Sequence, residues 1–433
     1  MIRPNPAGCW STAHRDNAFD ERTGGLRRTT SRTRRSGKGW GTRRTAPVVA
    51  AVLAALAGPT VAGPAQAAPG PEVFSWGAGD AGQLGSGGTG DRWSPGPVMG
   101  MHRGEVRRIS AGGTGSGDSF AVAQLENGTV RAWGHGSAGQ LGTGSRSDRS
   151  TPDTVNGLRD VNDVAAGGAH ALAISKGRVW AWGDNGDGQL GNNRSGDDST
   201  SPVRVPSIFM ARQVAAGCDF SMALMEDGTV WSWGNGAHGQ LGTGERKSES
   251  VPQEVKGLSG IAEIAAGCHH GLARTEDGTV WTWGDNLKGQ LGDGTTKGSS
   301  AEPVKARWLR DIRKITAGGD HGFAIRNDDT VYGWGENRDG QLLEADQSDD
   351  TGLSRTNRNT PVAIDALEGA RDLAAGRSHD LAILDDRVVA WGANGEGQLG
   401  NGTALARHAP VTAARGDFHH VAASLAGNSS YAY

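Results

Sequence analysis

The feature that most constrains the fold is a twelve-residue motif that occurs seven times along the chain. It has the form V-x-x-W-G-x-x-x-x-G-Q-L, and successive copies of its tryptophan are 49 to 57 residues apart. A period near 50 residues is typical of propellers and solenoids, in which one unit cannot bury its apolar face alone. The motif tryptophans are Trp76, Trp133, Trp182, Trp233, Trp283, Trp334 and Trp391.

A second motif, rich in alanine and glycine, lies between copies of the first. Two examples are VAAGGAHALAI at 164–174 and ITAGGDHGFAI at 315–325. Apolar and polar residues alternate between glycine turns, which predicts short strands without helices. Small residues suit an innermost strand, and the tryptophans suit the space between neighbouring sheets. Prolines in the loops after G-Q-L predict outermost edge strands, and these are Pro152, Pro202, Pro252, Pro303, Pro361 and Pro410.

The two ends of the repeat region carry complementary halves of one unit. The region begins at Val73 with the V-F-S-W-G half and ends at Tyr433 inside the other half. Pairing of the halves would join the first and last units and remove the free sheet edges. We therefore expect an all-β fold, a closed seven-bladed β-propeller over residues 68–433. Its last blade is completed by N- and C-terminal strands, and we expect it to be a monomer.

Residues 1–67 are interpreted as a basic leader and secretory signal peptide. The first 46 residues contain 11 of the chain's 44 basic residues but only 3 of its 47 acidic ones. An apolar run follows, and Ala65-Gln66-Ala67 has the small-x-small pattern of a signal-peptidase site. Because the run has about half the ~20 residues of a membrane span, we expect cleavage between Ala67 and Ala68, no stable membrane anchor and a secreted, extracellular protein. The sequence leaves open the export route, Sec or twin-arginine, and the true start codon.

The two motifs together resemble the repeat of the regulator of chromosome condensation family. The matching pattern is A-A-G-x-x-H-x-L-A-L followed by D-G-x-V-W-x-W-G-x-N-x-x-G-Q-L-G, over about residues 72–433. The founding member is a guanine-nucleotide exchange factor for Ran that binds chromatin, so the resemblance implies an exchange-factor-like regulator as one alternative. The family's exchange activity depends on a projecting β-wedge, whereas the long excursions here, 86–108 and 343–369, are polar loops.

The charge of the repeat region also bears on its partners. Residues 69–433 retain 33 basic and 44 acidic side chains, a net charge of −11. Because nucleic-acid binding requires a basic surface, we expect no nucleic acid as partner.

More distantly, the chain is similar to propeller-type β-lactamase inhibitory proteins secreted by some actinomycetes. That resemblance implies a rigid face that grips a protein partner, although no inhibitory residue matches position by position. We interpret the chain as a secreted bacterial protein-binding scaffold or inhibitor-like propeller with a protein partner of unknown identity. An extracellular carbohydrate-binding protein or enzyme is the further alternative. Trp93 and Trp308 are the main aromatic candidates for a binding surface outside the repeat motif.

Catalytic and metal-binding patterns are scarce. The chain has no G-x-S-x-G, H-E-x-x-H, P-loop or dinucleotide motif, and we expect neither enzyme activity nor a cofactor or metal. Four histidines occupy equivalent places in the second motif, but two phenylalanines fill the same place in other units. The pattern therefore indicates packing rather than a metal ring; the six residues are His170, His270, His321, His379, Phe120 and Phe220.

Two cysteines of the repeat region, Cys218 and Cys268, both follow A-A-G in adjacent units. A disulfide requires a Cα separation of about 4.4–6.8 Å and survives outside the cell. Two buried free thiols are the other possibility, and the sequence does not decide between them.

The loops after G-Q-L differ in every unit while the motif residues barely change. They include SRSDRS at 145–150, NNRSGDDS at 192–199, ERKSES at 245–250 and TALARH at 403–408. Because polar, glycine-flanked loops are free of packing constraints, they are the places where recognition can vary. We predict a mixed-charge protein-binding surface formed by Arg146, Arg149, Asp197, Asp198, Glu245, Arg246, Lys247 and Arg407.

Overall fold

Seven four-stranded antiparallel sheets account for the strands of the chain that the structure describes. The computed structural model describes residues 72–343 and 355–433, so the leader and the expected cleavage site at Ala67 and Ala68 lie outside the described residues. One sheet combines both ends of this region, and its strands are β1 (Glu72–Gly77), β2 (Arg92–His102), β27 (Val421–Ala423) and β28 (Ser429–Ala432).

The other six sheets are meanders of four consecutive strands, which we number as blades 1 to 6. Blades 1 to 3 consist of β3 (Val106–Gly112), β4 (Phe120–Leu125), β5 (Val130–Gly134), β6 (Arg149–Thr154); β7 (Val161–Ala166), β8 (His170–Ser175), β9 (Arg178–Gly183), β10 (Ser199–Phe209); and β11 (Ala211–Ala216), β12 (Phe220–Met225), β13 (Val230–Gly234), β14 (Glu249–Glu254). Blades 4 to 6 consist of β15 (Ile261–Ala266), β16 (His270–Thr275), β17 (Val280–Gly284), β18 (Ser300–Lys305); β19 (Ile312–Ala317), β20 (His321–Arg326), β21 (Val331–Gly335), β22 (Arg358–Ala363); and β23 (Asp372–Ala375), β24 (His379–Leu384), β25 (Arg387–Gly392), β26 (Arg407–Arg415). Short 3₁₀ helices lie at Arg103–Glu105, Ser116–Asp118 and Asp365–Leu367.

The sheet that combines both ends is blade 7, and it closes the ring. Its strand order is β27, β28, β1, β2, and Trp76 of β1 lies opposite Ser430 of β28. The first strand of each blade contacts the first strand of the next, and β27 contacts both β23 and β3. The predictions of an all-β, closed seven-bladed propeller and of a last blade shared by the two ends are confirmed.

The motif tryptophans fill the interfaces between blades, as their spacing predicts. All seven are fully buried. Each indole N–H donates to the backbone carbonyl of the G-Q-L glutamine of the preceding blade at 2.7–2.9 Å, including Trp76 to Gln398 across the closure. One side chain therefore supplies both the apolar packing and the polar bond at each interface.

The prolines after G-Q-L lie on the outermost strand of each blade, also as predicted. Pro152 is the fourth residue of β6, and Pro95 takes the same place in β2. The fourth strand is an edge strand, where a residue without a backbone N–H can be accommodated.

The meander gives the propeller two different faces. What we call the loop face carries the turn between the first and second strands of each blade and the loop between its third and fourth strands. The hairpin face carries the turns between second and third strands and the connections from one blade to the next. A central channel with a cavity of about 500 Å³ runs between the first strands.

Candidate functional site

The loops that follow G-Q-L rise from seven nearly identical roots on the loop face. In every blade the carboxamide oxygen of the motif glutamine accepts the backbone N–H two residues before it, at 2.8–2.9 Å. The leucine that follows is buried in the blade. In four blades an asparagine side chain also accepts the N–H of that leucine. The same glutamine bond and the same buried leucine thus fix the root of the loop in every blade, and the loop beyond it is free to vary.

The structure places all eight predicted recognition residues on the loop face. Arg149 and Asp198 are partly buried there. The other six are exposed to solvent, and they are Arg146, Asp197, Glu245, Arg246, Lys247 and Arg407.

Two arginines of this set bond to the loop of the next blade. Arg146 of blade 1 pairs with Asp198 of blade 2, with 2.9 Å between Nη1 and Oδ2. Arg246 of blade 3 donates from Nη2 to the carbonyl oxygen of Ser299 in blade 4 at 2.6 Å. These contacts fix the relative positions of adjacent loops and leave the outer edges of both guanidinium groups available for a partner.

Other members of the set are less closely associated. Arg149 and Lys247 pair within their own blades, with Asp153 at 3.1 Å and Glu249 at 2.9 Å. Arg407 belongs to blade 6, two blades away from the loop of Arg146, so the structure does not bring it together with the rest. The predicted surface is therefore an arc over blades 1 to 3 with one separate residue.

The mouth of the channel on the loop face forms a cavity of about 720 Å³. Its lining includes Asp219, Asp320, Glu336 and His269. Burial raises the pKa of Asp219, and the nearby Asp187 raises it further. The pKa of Asp320 is raised in the same way by burial and by Glu336. Sequence reasoning missed this charged mouth, whose lining also includes Lys288, Arg338 and Arg377, because its residues come from two different turns in several blades.

Cys218 and Cys268 also line this mouth, and the structure joins them in a disulfide with a Cα separation of 4.5 Å. The bond links the first turns of blades 3 and 4, and the two cysteines are 50 residues apart in sequence.

We expect the double variant Cys218→Ser/Cys268→Ser to lower the free energy of unfolding by about 2–4 kcal/mol, because the unfolded chain loses a constraint. Denaturant unfolding measures this, and reduced wild-type protein should match the variant. Equal stability of all three samples would contradict the disulfide.

The histidines of the second motif bond across blade interfaces, as a packing role predicts. His170 Nε2 lies 2.9 Å from Ser221 Oγ, and His379 Nε2 lies 3.0 Å from Ser430 Oγ. Burial lowers the pKa of His170 to about 4 and that of His379 to about 3. Both rings are therefore neutral in the folded protein near pH 7.

The third such contact is a buried His–Asp pair that the sequence did not reveal. His321 Nε2 lies 2.8 Å from Asp380 Oδ1, and both side chains are fully buried. Burial lowers the pKa of His321, but the charge of Asp380 and the bond to it outweigh this effect, so the pKa of His321 is raised. Because no substrate can reach two fully buried groups, this pair is structural and not a catalytic dyad.

The remaining histidine breaks the rule that these pairs follow. In these pairs, the first residue of the second strand in one blade faces the second residue of the second strand in the next blade. The first residue is histidine, and the residue that it faces is serine or aspartate. At the same two positions, Phe220 of blade 3 corresponds to Gly271 of blade 4. His270 of blade 4 corresponds to Gly322 of blade 5, which has no side chain to bond. Both ring nitrogens of His270 are buried without a partner, and burial lowers the pKa of this residue to about 3.

We expect His270→Phe to raise the free energy of unfolding by about 1–3 kcal/mol, because it removes two unsatisfied buried polar atoms. His170→Phe is the matched control and should give no such gain, since it loses the bond to Ser221. Urea unfolding at pH 7.5 measures both. A destabilised His270→Phe variant would contradict the pairing rule.

A ring of polar side chains in the channel is a second feature that the sequence did not reveal. Each of these residues immediately precedes the apolar anchor of a first strand. For six of the seven, a side-chain contact reaches the next blade, whereas His420 pairs with Asp372 of the preceding blade. Asp163 accepts the N–H of Val214 at 2.9 Å, and Gln213 accepts the N–H of Ile264 at 3.0 Å. The ring comprises Arg108, Asp163, Gln213, Glu263, Lys314, Asp372 and His420.

Within residues 72–343 and 355–433, no group of three or more metal-ligating side chains lies close enough to hold a metal ion. In the same residues no helix has the length and hydropathy that a membrane crossing requires. The two aromatic candidates are exposed, Trp93 by 49% and Trp308 by 70%. They lie on different faces, Trp93 at the loop-face end of β2 and Trp308 on the hairpin face.

Comparisons with known proteins agree on the domain. The family model described as RCC1-like domain matches residues 72–432. The ultraviolet-B receptor UVR8 of Arabidopsis thaliana is 32% identical over 351 residues, which cover 78% of this chain and 76% of the receptor. The human E3 ubiquitin-protein ligase HERC2 is 30% identical over 348 residues, 78% of this chain but only 6% of the ligase.

Solved structures agree on the fold. Yeast RCC1 (Prp20), in its complex with Kap60, superposes with a TM-score of 0.73 at 24% identity, covering 83% of this chain and 88% of the other. Human WBSCR16 gives a TM-score of 0.70 at 23% identity, covering 84% and 99%. At these identities the likeness concerns the fold alone.

Proposed function

The chain belongs to the RCC1-like domain family, and from that premise we propose that it is a secreted, non-enzymatic scaffold that binds a protein partner through its loop face. One observation carries the proposal: seven nearly identical roots present loops whose sequences all differ. Packing determines the roots, whereas the tips are free of that constraint and can vary to suit a partner.

The charges of this face favour a protein over a polyanion. Arg146, Arg246 and Lys247 alternate with Asp197 and Glu245 on the exposed tips. Interspersed charges of both signs give complementarity with a protein surface, whereas nucleic acid needs a continuous basic track.

The names of the relatives describe different roles, including a receptor, a ubiquitin ligase and a protein with binding partners. UVR8 is a receptor, HERC2 is a ubiquitin ligase, and Prp20 has been studied for binding to Gsp1p and histones. Protein binding by this chain is consistent with those roles. The exchange-factor alternative rests on the resemblance alone, and no contact in the described residues favours it.

Export is the second part of the proposal. It rests on the basic leader, the short apolar run and the Ala65-Gln66-Ala67 motif, and a disulfide is compatible with an oxidising compartment. We expect protein isolated from culture supernatant to begin at Ala68, which N-terminal sequencing measures. A chain that keeps its leader and remains in the cytoplasm would contradict export.

Partner capture tests the binding surface. The purified protein is immobilised, exposed to culture medium, and its captured proteins are identified by mass spectrometry. The variant Arg246→Glu/Lys247→Glu should slow association with the captured partner at least fivefold at low salt, because surface charges act mainly on the encounter rate. Its melting temperature should stay within about 1 °C, since exposed substitutions change stability by less than about 0.5 kcal/mol.

The matched control reverses two charges on the hairpin face, Lys176→Glu/Arg415→Glu, and should leave the association rate unchanged. Both side chains are more than half exposed, 75% and 67%. Equal rates for all three proteins would contradict recognition by the loop face.

A further inference from the structure

The hairpin face carries four arginines at equivalent positions near the starts of the first strands. In blades 1 to 5 the pairing of the first strand with the second strand begins with a register irregularity, and two successive residues lie there. The second residue of each pair belongs to the polar ring described above. The first residues, with their equivalents in blades 6 and 7, form the rim and are Arg107, Asn162, Arg212, Ala262, Arg313, Arg371 and His419.

The polar ring carries charges of both signs, with two basic and three acidic side chains, whereas the charged side chains at the rim are all basic. Within the ring Arg108 pairs with Asp163 at 2.6 Å, and Lys314 pairs with Asp372. Among the seven rim positions four are arginine and none is acidic. In a repeat region with a net charge of −11, this concentration of one sign is a local exception.

Two of the rim arginines are held by backbone carbonyls rather than by carboxylates. Arg212 donates from Nη2 to the carbonyl oxygen of Ile261 at 2.5 Å, and Arg371 donates to the carbonyl of Asp385. A neutral carbonyl orients a guanidinium group but leaves its charge and its other N–H donors for a ligand. Within residues 72–343 and 355–433, no ion pair occupies Arg107, Arg212 or Arg371; Arg313 pairs with the exposed Asp329.

Large apolar side chains project from the connections that lead to this rim. Met210 is 61% exposed and Trp308 is 70% exposed, and Phe209 is 47% exposed. Phe209 precedes Arg212 by three residues, which span at most about 11 Å of chain. Trp308 precedes Arg313 by five, or at most about 18 Å. Exposed aromatic and arginine side chains together are the composition of binding hot spots.

The backbone at Trp308 shows that folding alone does not explain this residue. Trp308 has a φ of 61°, a left-handed conformation that costs a non-glycine residue about 1–2 kcal/mol. At the equivalent place in three other connections the same conformation is adopted by Gly100, Gly157 and Gly257. A strained and exposed tryptophan, where glycine serves elsewhere, indicates a function of the side chain.

We propose that the hairpin face binds an acidic peptide segment of a partner protein. Its carboxylates pair with the rim arginines, which can accept them in bidentate fashion, and an apolar side chain of the same segment packs against Trp308 or Phe209. A long polyanion fits less well, because the E-D-G turns at 226–228 and 276–278 place acidic side chains farther out on this face. This site is separate from the loop face and goes beyond the proposed function.

Fluorescence anisotropy tests the site with a labelled peptide of eight glutamates flanked by leucine and tryptophan. We expect saturable binding to the purified protein that weakens as salt rises. Arg107→Glu/Arg212→Glu should weaken it at least tenfold. The matched control Arg146→Glu/Arg246→Glu, on the loop face, should change it less than twofold. Trp308→Gly should weaken it at least fivefold without lowering the melting temperature.

Three results would overturn the proposal. They are the absence of saturable binding, equal losses in the rim and loop-face variants, and tighter rim-dependent binding of a labelled 20-nucleotide single-stranded DNA. The melting temperature of each variant separates loss of the site from loss of the fold. Partner capture by the loop face, measured on the same rim variant, distinguishes failure of this site from failure of the proposed function.

Discussion

Trp76→Ala is expected to lower the free energy of unfolding by about 3–5 kcal/mol, the usual cost of deleting a large buried aromatic side chain. Trp76 is fully buried and packs against Leu381 and Val388 of blade 6. Its indole N–H bonds to a carbonyl 322 residues away in sequence. The residue therefore connects the two ends of the repeat region across the closure. Most of the expected loss comes from packing, because Ser430 Oγ also donates to the same Gln398 carbonyl.

Guanidinium unfolding measures this effect. Trp308→Ala is the control and should change the stability by less than about 0.5 kcal/mol, since that tryptophan is mostly exposed. Deleting residues 72–84 extends the test, because it removes β1 and leaves β28 paired with β27 alone. The shortened chain should lose its cooperative transition or dimerise by strand exchange. A monomer that unfolds like the intact protein would refute the closure by paired ends.

Acidification from pH 6.5 to 4.5 is expected to destabilise the protein by several kcal/mol through three buried histidines. The folded-state pKa is about 4 for His170 and about 3 for His270 and His379. The unfolded chain, with a pKa near 6.5, binds protons in this window that the folded chain does not, so stability falls as the pH falls. Each histidine contributes about 2–3 kcal/mol, at about 1.4 kcal/mol per pKa unit.

His321 does not contribute to this slope. Its pKa is raised in the folded protein, so its stabilising effect is complete below the unfolded pKa and is lost only as the pH rises through the folded value. The acid slope therefore belongs to the other three residues.

The triple variant His170→Phe/His270→Phe/His379→Phe should remove most of the acid slope. Two other blades already hold phenylalanine at this place, and Ser221 and Ser430 keep their bonds to backbone carbonyls. Urea unfolding at half-unit pH intervals measures both proteins. An equally steep slope in the variant would assign the acid sensitivity to other groups.

The sequence predicted the features that repeat in every blade. The tryptophan spacing indicated seven interfaces, the prolines marked the edge strands, and the incomplete ends at Val73 and Tyr433 indicated a shared blade. These predictions succeeded because each blade repeats the same local pattern, so the pattern alone carries the information.

The contacts between unlike residues of neighbouring blades were not predicted. His321 and Asp380 are 59 residues apart, and their meeting depends on which position of one blade faces which position of the next. The polar ring and the arginine rim depend in addition on a register irregularity at the start of the first strands. The sequence did carry a usable signal, because phenylalanine accompanies alanine or glycine in the next repeat and histidine usually accompanies serine or aspartate.

Hydrogen–deuterium exchange of the protein, alone and bound to its captured partner, tests the central claim most directly. The claim is that variable loops on a rigid ring recognise a protein. Partner binding should slow exchange in the loops at 143–148 and 243–248, on blades 1 and 3, while the buried strands beneath them stay unchanged. Slower exchange confined to the hairpin face, or no protein captured from the medium, would contradict it.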